Sequence, residues 1–495
     1  MFLSSLTIVR SGSLMVGVML AKQLSASVNR IFLINSSSYR YTSWYWFFLF
    51  ILLGVIFQGL RNPTQIFTPT LYGEDAAWIS WISIHGFAWS LINGREEYPV
   101  FLPVILNWVG WILNKLAFSK NVSQLPHFTA LVSFSFFSFV CWFAANSLFK
   151  NTRCRASSIT CWLLLISFPL AEANSTLGHN LQWAHLAPFL SAIICLHRIQ
   201  SEPTLFTDIL QFILCLTLPL CIVICALFLM CNFLYSHMYD LKLERLLKKT
   251  TWFKFIPTIT NDIRLIFFVI LAGIILLNMI DTSSNLSIAN QAIIASKIIE
   301  FAIFRPFLFP IFASFTSHFN DSMTLCIFSL MFVFPFFWLY YKQKLSYPLV
   351  FLCLSLLVTL LIFSFVRGGI ALTLDYDSAH LHFYYLSLSS FSVVILCYFI
   401  SFLSKFKWYF CAILLSFHFS TNSFLIFQGM DAIPQNLSWE QSLDYSYSNN
   451  CSEVNCLNDK SRKPEYFAIP SNPSPDAWFH FPIDIVERSV QIADN

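Results

Sequence analysis

Long runs of apolar residues recur between about residue 44 and residue 427, and they limit the folds open to this chain more than any other feature. Hydrophobic residues make up 57% of the sequence and charged residues only 11%, a balance that is foreign to soluble globular domains. A helical run of about 20 apolar residues crosses a bilayer. Because a backbone in lipid must satisfy its own hydrogen bonds, such runs predict helices. We therefore expect an all-α integral membrane protein.

The positions of lysine and arginine orient the predicted spans. Residues 1–43, before the first firm span at 44–60, contain four basic residues and no acidic one. Further basic groups lie at 150–155, 242–254, 342–344 and 405–407. Since cytoplasmic segments are enriched in Lys and Arg, these segments predict a bundle of about 11 transmembrane helices with the N-terminus inside and the C-terminus outside.

This topology divides the chain into three parts. Residues 1–43 form a cytoplasmic segment, 44–427 a polytopic transmembrane domain and 428–495 an external tail, which we expect to be a small appendage on the outer face. The first external loop, 61–127, is large, and we expect it to contain surface helices. Three apolar segments are ambiguous between crossing and surface helix or hairpin: 101–118, 205–235 and 296–316.

An acidic pair, Glu74-Asp75, lies in the first external loop of a chain that mostly avoids acids. One interpretation is that the pair begins a surface helix and complements its dipole. The other is that one carboxylate acts as a general base towards an attacking hydroxyl. Adjacent residues on a helix point about 100° apart, so the two acids are not expected to share one task. Asp75 is the first choice for the base and Glu74 the second.

The predicted topology brings other polar residues, His179 and Asn180 among them, to the same outer side. The candidate substrate-binding residues among them are Arg95, Glu172, Arg367, His380 and His382. Charged residues in or near a bilayer are costly and usually functional or paired. Arginine binds phosphate through charge and a two-pronged hydrogen bond, which makes Arg367 the candidate for stabilising a leaving phosphate. The two histidines either help to hold that phosphate or are ordinary interface residues.

Several short motifs in this pattern resemble the membrane glycosyltransferases of the GT-C class, and within it the polytopic O-antigen-modifying glucosyltransferases of bacterial envelopes. The motifs are the acidic segment from Pro63 to Trp78, the stretch Tyr98-Pro99 before an apolar helix, the turn Asn180–Trp183, Arg367 with the aromatic segment 382–385, and the tail stretch from Pro470 to Trp478. The chain departs from the class at two places. Ala76 follows the acidic pair where the class has Gly, and the segment 380–384 lacks the Arg that often precedes the late aromatic pair in the class.

The resemblance implies an enzyme of the bacterial inner membrane. Its donor would be a polyprenyl-phosphate sugar and its acceptor a cell-envelope glycan or glycolipid such as lipopolysaccharide, with Tyr98 and Trp183 joining the substrate-binding residues. It implies no required cofactor, and a divalent metal at the acidic pair stays open. The alternatives are a transporter or flippase of lipid-linked sugars and a polysaccharide polymerase or ligase. The few, scattered basic residues give no sign of nucleic-acid binding.

Overall fold

The structure is a computed structural model, and the residues that it describes are separated by gaps. They are 39–67, 69–71, 73–94, 100–118, 122–169, 178–200, 204–230, 232, 255–279, 305–313, 321–341, 386–403, 406–427, 439, 441–443, 466–470 and 478–482.

Helices form nearly all of the regular structure in these ranges. The N-terminal half contains α1 (Tyr39–Arg61), α2 (Thr64–Phe67), α3 (Gly73–His85), α4 (Phe87–Ile92), α5 (Phe101–Phe118), α6 (Leu125–Thr152), α7 (Arg155–Ile166), α8 (Gln182–Gln200), α9 (Leu205–Thr217) and α10 (Leu220–Met230). The C-terminal half contains α11 (Phe255–Met279), α12 (Arg305–Phe312), α13 (Asp321–Phe328), a π-helical turn (Ser329–Val333), α14 (Phe334–Tyr341), α15 (Leu386–Ser401) and α16 (Lys407–Phe427).

Two short strands in the tail are the exception to the helical pattern. Strand β1 (Tyr466–Pro470) pairs antiparallel with β2 (Trp478–Pro482), and β2 lies beside α3. The prediction of an all-α chain is thus confirmed in its coarser form, since the described residues are mostly helical; the two-stranded ribbon was not predicted.

The predicted count of about 11 crossings is not confirmed. Among the described residues, one helix, Leu125–Thr152, is long and apolar enough to cross a membrane. Seven other apolar helical stretches among the described residues have 10–17 residues, fewer than the roughly 20 that a perpendicular crossing needs. They are Tyr45–Arg61, Phe101–Ala117, Arg155–Ile166, Leu205–Thr217, Leu220–Met230, Leu325–Leu339 and Leu386–Ser401.

Helix α6 lies at the centre of the packing. It contacts α1, α5, α7, α8 and α15, and about half of its residues are buried. Its first turn contains Pro126, whose missing N–H has no helical partner to lose at that position. Its last turn is closed by Arg153 in the left-handed conformation, with its N–H bonded to the carbonyl of Phe149.

Helix α15 shows how a helix with an internal proline is stabilised by a neighbour. Pro188 lies inside α8, and Ser387 of α15 packs beside it. The Ser387 hydroxyl donates to the carbonyl of His185 at 2.6 Å and accepts from the N–H of Phe189 at 3.2 Å. A polar side chain from a neighbouring helix thus bonds the carbonyl three residues before the proline and the N–H just after it, as proline-containing helices in apolar surroundings require.

The outward faces of several helices are apolar. On α1 the exposed residues recur every three or four positions, and α11 and α16 repeat the pattern; these residues are Tyr45, Phe48, Leu52, Ile56, Ile263, Phe267, Ile270, Ile274, Ile413 and Phe417. Continuous exposed stripes of this kind are rare on monomeric soluble proteins.

Candidate functional site

Asp75 lies in the first turn of α3, and its side chain is completely buried. Its Oδ1 accepts a hydrogen bond from the Asn107 side-chain amide at 2.8 Å. Its Oδ2 accepts one from the backbone N–H of Asn180 at 2.7 Å. Both distances are typical of hydrogen bonds to a carboxylate. Asn107, which is 32 positions from Asp75 in sequence, and Asn180, which is 105 positions away, therefore hold the carboxylate in one orientation.

The three residues form a closed ring of hydrogen bonds. The side-chain amide of Asn180 donates to Oδ1 of Asn107 at 2.9 Å. Because a carboxylate only accepts, the amide of Asn107 must turn its NH₂ group to Asp75, which leaves its oxygen for Asn180. Asn107 is fully buried within α5, and Asn180 is fully buried in the turn before α8. The ring thus joins α3, α5 and that turn.

His179 extends the ring on its Oδ2 side. Its Nδ1 lies 3.6 Å from Oδ2 of Asp75. Its Nε2 lies 2.8 Å from the amide nitrogen of Gln65 on α2, which also donates to the Thr70 hydroxyl at 3.2 Å. Gln65 and His179 are almost completely buried. A chain of polar groups therefore runs from Thr70 through Gln65 and His179 to Asp75.

Local backbone geometry holds His179 and Asn180 in place. Gly178, just before them, has φ +91°, and a Cβ there would lie 3.1 Å from Cγ of Gln65. The Ser133 hydroxyl of α6 donates to the carbonyl of His179 at 2.9 Å, and the side-chain amide of Gln182 donates to the same hydroxyl at 3.0 Å. A glycine is required both for the backbone conformation and for the close approach of Gln65.

The tail also contacts the segments around the site. The indole N–H of Trp439 donates to the carbonyl of Val122 at 2.8 Å, and its backbone N–H donates to the carbonyl of Pro69 at 2.9 Å. Trp78, one helical turn after Asp75, donates its indole N–H to the carbonyl of Gly94 at 2.8 Å. The Trp439 bonds join the tail to the segments before α6 and before α3, and the Trp78 bond joins α3 to the segment after α4.

Glu74 differs from its neighbour. It is half-buried at the start of α3 and is not a member of the ring. Its position at the helix N-terminus is one where a negative charge is favourable. The two acids thus occupy different surroundings, as their separation around the helix axis requires.

Of the predicted substrate-binding residues, the structure describes Trp183 alone. The Trp183 side chain is completely buried, and its ring meets that of Phe136 edge to face with 4.5 Å between centroids. The other candidates lie outside the described residues: Arg95, Tyr98, Glu172, Arg367, His380 and His382.

The sequence alone did not reveal that Asn107 is a partner of Asp75 or that Gln65 is a partner of His179. Asn107 lies in the apolar run FLPVILNWVGW, and Gln65 lies just after the first predicted span. A buried amide inside an apolar helix needs a partner, so the isolated Asn107 was a usable signal for a polar contact. Its partner could not be read from the sequence, because that depends on how α5 is rotated against α3.

The described ranges also bear on metal binding. Within them, no group of three or more His, Cys, Asp or Glu side chains is arranged to hold a metal ion. The residues around Asp75 are instead mainly amides and one imidazole.

No protein family, curated protein or solved structure matches this chain.

Proposed function

We propose that the chain is an integral membrane glycosyltransferase that moves a sugar from a polyprenyl-phosphate donor to a cell-envelope glycan or glycolipid at the outer leaflet. The observation that carries the proposal is the Asp75 carboxylate, which is completely buried and held by hydrogen bonds from Asn107 and Asn180. Burying a charged carboxylate is costly, so a site that does so with fixed N–H donors is a functional candidate.

The proposed reaction gives Asp75 the part of the general base. The acceptor hydroxyl oxygen forms a bond to the anomeric carbon while the anomeric carbon–oxygen bond to phosphate breaks. The electron pair of that bond leaves on the phosphate, and the hydroxyl proton passes to the carboxylate. A carboxylate in a single orientation lowers the entropy cost of reaching this geometry. Arg367 is the proposed partner of the leaving phosphate.

A membrane location is supported by the apolar stripes of α1, α11 and α16 and by the length of α6. Lipid tails are a favourable neighbour for such stripes, and water is not. A crossing bundle of about 11 helices, with the acidic pair on the outer side, is the topology that we propose.

Substitution of the two acids tests the proposal. Membranes that contain the wild type or a variant are incubated with radiolabelled polyprenyl-phosphate sugars, and the label in glycan and glycolipid is counted. Asp75→Asn removes the base and preserves the shape, so we expect at least about a 100-fold loss of transfer. Glu74→Gln, the matched control, is expected to keep most activity because Glu74 lies outside the ring.

Protein levels in the membrane must be equal for the comparison to hold. If the wild type transfers no sugar, the proposed function is wrong. If transfer survives Asp75→Asn and is lost in Glu74→Gln, the base is Glu74. If transfer survives both substitutions, neither acid is the base.

One observation favours a transporter as the second candidate. Arg198 of α8 pairs with Asp208 of α9, and both are buried among apolar helices. Buried charges of this kind occur along transport pathways. Movement of a fluorescent lipid-linked sugar across proteoliposomes, without transfer to an acceptor, would support this candidate over the enzyme.

A further inference from the structure

The imidazole of His179 lies between the carboxylate of Asp75 and the side-chain amide of Gln65. On one side its Nδ1 faces Oδ2 of Asp75 at 3.6 Å. On the other side its Nε2 lies 2.8 Å from the amide of Gln65. His179 is only 1% exposed, so these neighbours rather than bulk water decide which ring nitrogen carries the proton.

The proton belongs on Nδ1 for an electrostatic reason. A lone pair on Nδ1 would face the carboxylate oxygen and be repelled by it, whereas an N–H at Nδ1 is attracted. Nε2 then keeps its lone pair and accepts from the Gln65 NH₂ group, which also donates to Thr70. One tautomer thus satisfies the two neighbours together.

Several polar groups surround the carboxylate of Asp75. Oδ2 of Asp75 accepts from the backbone N–H of Asn180 and lies 3.6 Å from Nδ1 of His179. Oδ1 accepts from Asn107. Two N–H groups, from α5 and from the turn before α8, therefore donate hydrogen bonds to the carboxylate, and the His179 ring lies beside it at ion-pair distance rather than hydrogen-bond distance.

We propose that His179 is a positioning residue for Asp75, which it holds through its Nδ1–H, and that Gln65 keeps the proton on that nitrogen. The inference rests on the proposed transferase activity and adds to it a residue that acts through the base rather than on the sugar. Fixed polar groups behind catalytic and metal-binding side chains orient those side chains in the same way.

Three substitutions of His179, to Asn, Gln and Ala, separate positioning from other roles. His179→Asn keeps an N–H close to where Nδ1 stands, and His179→Gln carries its amide further out, close to where Nε2 stands. We expect kcat to fall about tenfold in His179→Gln and His179→Ala, and to stay within about threefold of the wild type in His179→Asn. KM is expected to change little in all three, because the lost contact is with Asp75 and not with substrate.

The assay is transfer from radiolabelled polyprenyl-phosphate hexoses in membranes with equal amounts of inserted protein. His127→Asn is the matched control: His127 contacts α2, the helix of Gln65, through the carbonyl of Ile66 but does not contact Asp75, so the change should leave kcat unchanged. Gln65→Leu is the second test: it frees the tautomer of His179 and should lower kcat less than His179→Ala does.

The outcomes separate this inference from the proposed function. If the wild type transfers no sugar, the function fails and the role of His179 fails with it. If Asp75→Asn abolishes transfer while His179→Asn is as inactive as His179→Ala, the transferase stands and the positioning role is refuted. A rise in KM without a fall in kcat in the His179 variants would also refute it, because His179 would then bind substrate directly.

Discussion

Removing the negative charge of Asp208 should destabilise the fold more than any other single conservative change in its ion-pair network. Asp208 of α9 is fully buried and pairs with Arg198 of α8. Arg198 also reaches Asp262 of α11 at 3.3 Å, and Arg264 of α11 reaches the second oxygen of Asp208 at 3.1 Å. The network therefore ties three helices together through alternating charges.

The magnitude follows from the burial of the partners. Asp208→Asn leaves the buried Arg198 with one acidic partner fewer. Breaking a buried ion pair by removing one partner typically costs about 3–5 kcal/mol. Asp262 is partly exposed and still offsets part of the charge of Arg198. We therefore expect the lower end, about 3 kcal/mol, as the loss in free energy of unfolding. Arg264→Gln is the control: that side chain is 48% exposed, so its loss should cost less than about 1 kcal/mol.

The assay is reversible unfolding of the purified protein in mixed micelles by increasing SDS, followed by tryptophan fluorescence. A double-mutant cycle adds Arg198→Gln and the double variant. The double variant should be more stable than the sum of the two single losses predicts, by about 1.5 kcal/mol or more, because each single change leaves a buried charge behind. The reasoning is refuted if Asp208→Asn costs no more than Arg264→Gln, or if the two losses simply add.

Two further predictions concern the framework of the site. Gly178→Ala should lower the free energy of unfolding by about 1–2 kcal/mol and reduce sugar transfer, because φ is +91° and the new Cβ would press on Gln65. Gly273→Ala is the control: no atom lies within 4 Å of its Cβ position, so this change should be neutral or stabilising in the same unfolding titration. Equal effects of the two changes would contradict the prediction. Trp439→Phe should weaken the attachment of the tail by about 1 kcal/mol, because the hydrogen bond to Val122 is lost. The measurement is the rate of protease cleavage within the tail, which should rise. Trp162→Phe is the control: its buried indole N–H has no hydrogen-bond partner among the described residues, so the cleavage rate should not change.

The helical nature of the chain was predictable because apolar runs of this length leave the backbone few alternatives. The meeting of Asp75 with His179 and Asn180 was partly predictable as well. Positive-charge counting assigned these three to the same side of a membrane, and the structure brings them within hydrogen-bond or ion-pair distance. What counting could not give was the distance, since residues on one side of a bundle can lie tens of ångströms apart.

The amide partners were harder to predict for a different reason. Whether Asn107 faces lipid, a neighbouring helix or a carboxylate depends on the rotation of α5 about its axis, and its sequence is apolar on nearly every side. Hydrophobic periodicity therefore carries little information about that rotation. Gly110 supplies some of it in the structure: a Cβ there would lie 3.3 Å from the backbone of Thr129 on α6, so this face of α5 packs against α6 without a side chain between them.

The structure places the two acids of the pair in different surroundings. Glu74 is half-buried at the start of α3, where a carboxylate complements the helix dipole, and the dipole interpretation is sufficient for it. The same interpretation is insufficient for Asp75. The benefit of a dipole at an exposed helix end is at most about 1 kcal/mol, whereas complete burial of a charged carboxylate costs several. The bonds from Asn107 and Asn180 offset that cost only while the carboxylate keeps one orientation. A leucine in its place would avoid that cost but would leave the buried Asn107 amide and the Asn180 N–H without their acceptor. The chemical task proposed above for Asp75 accounts for a carboxylate at this position.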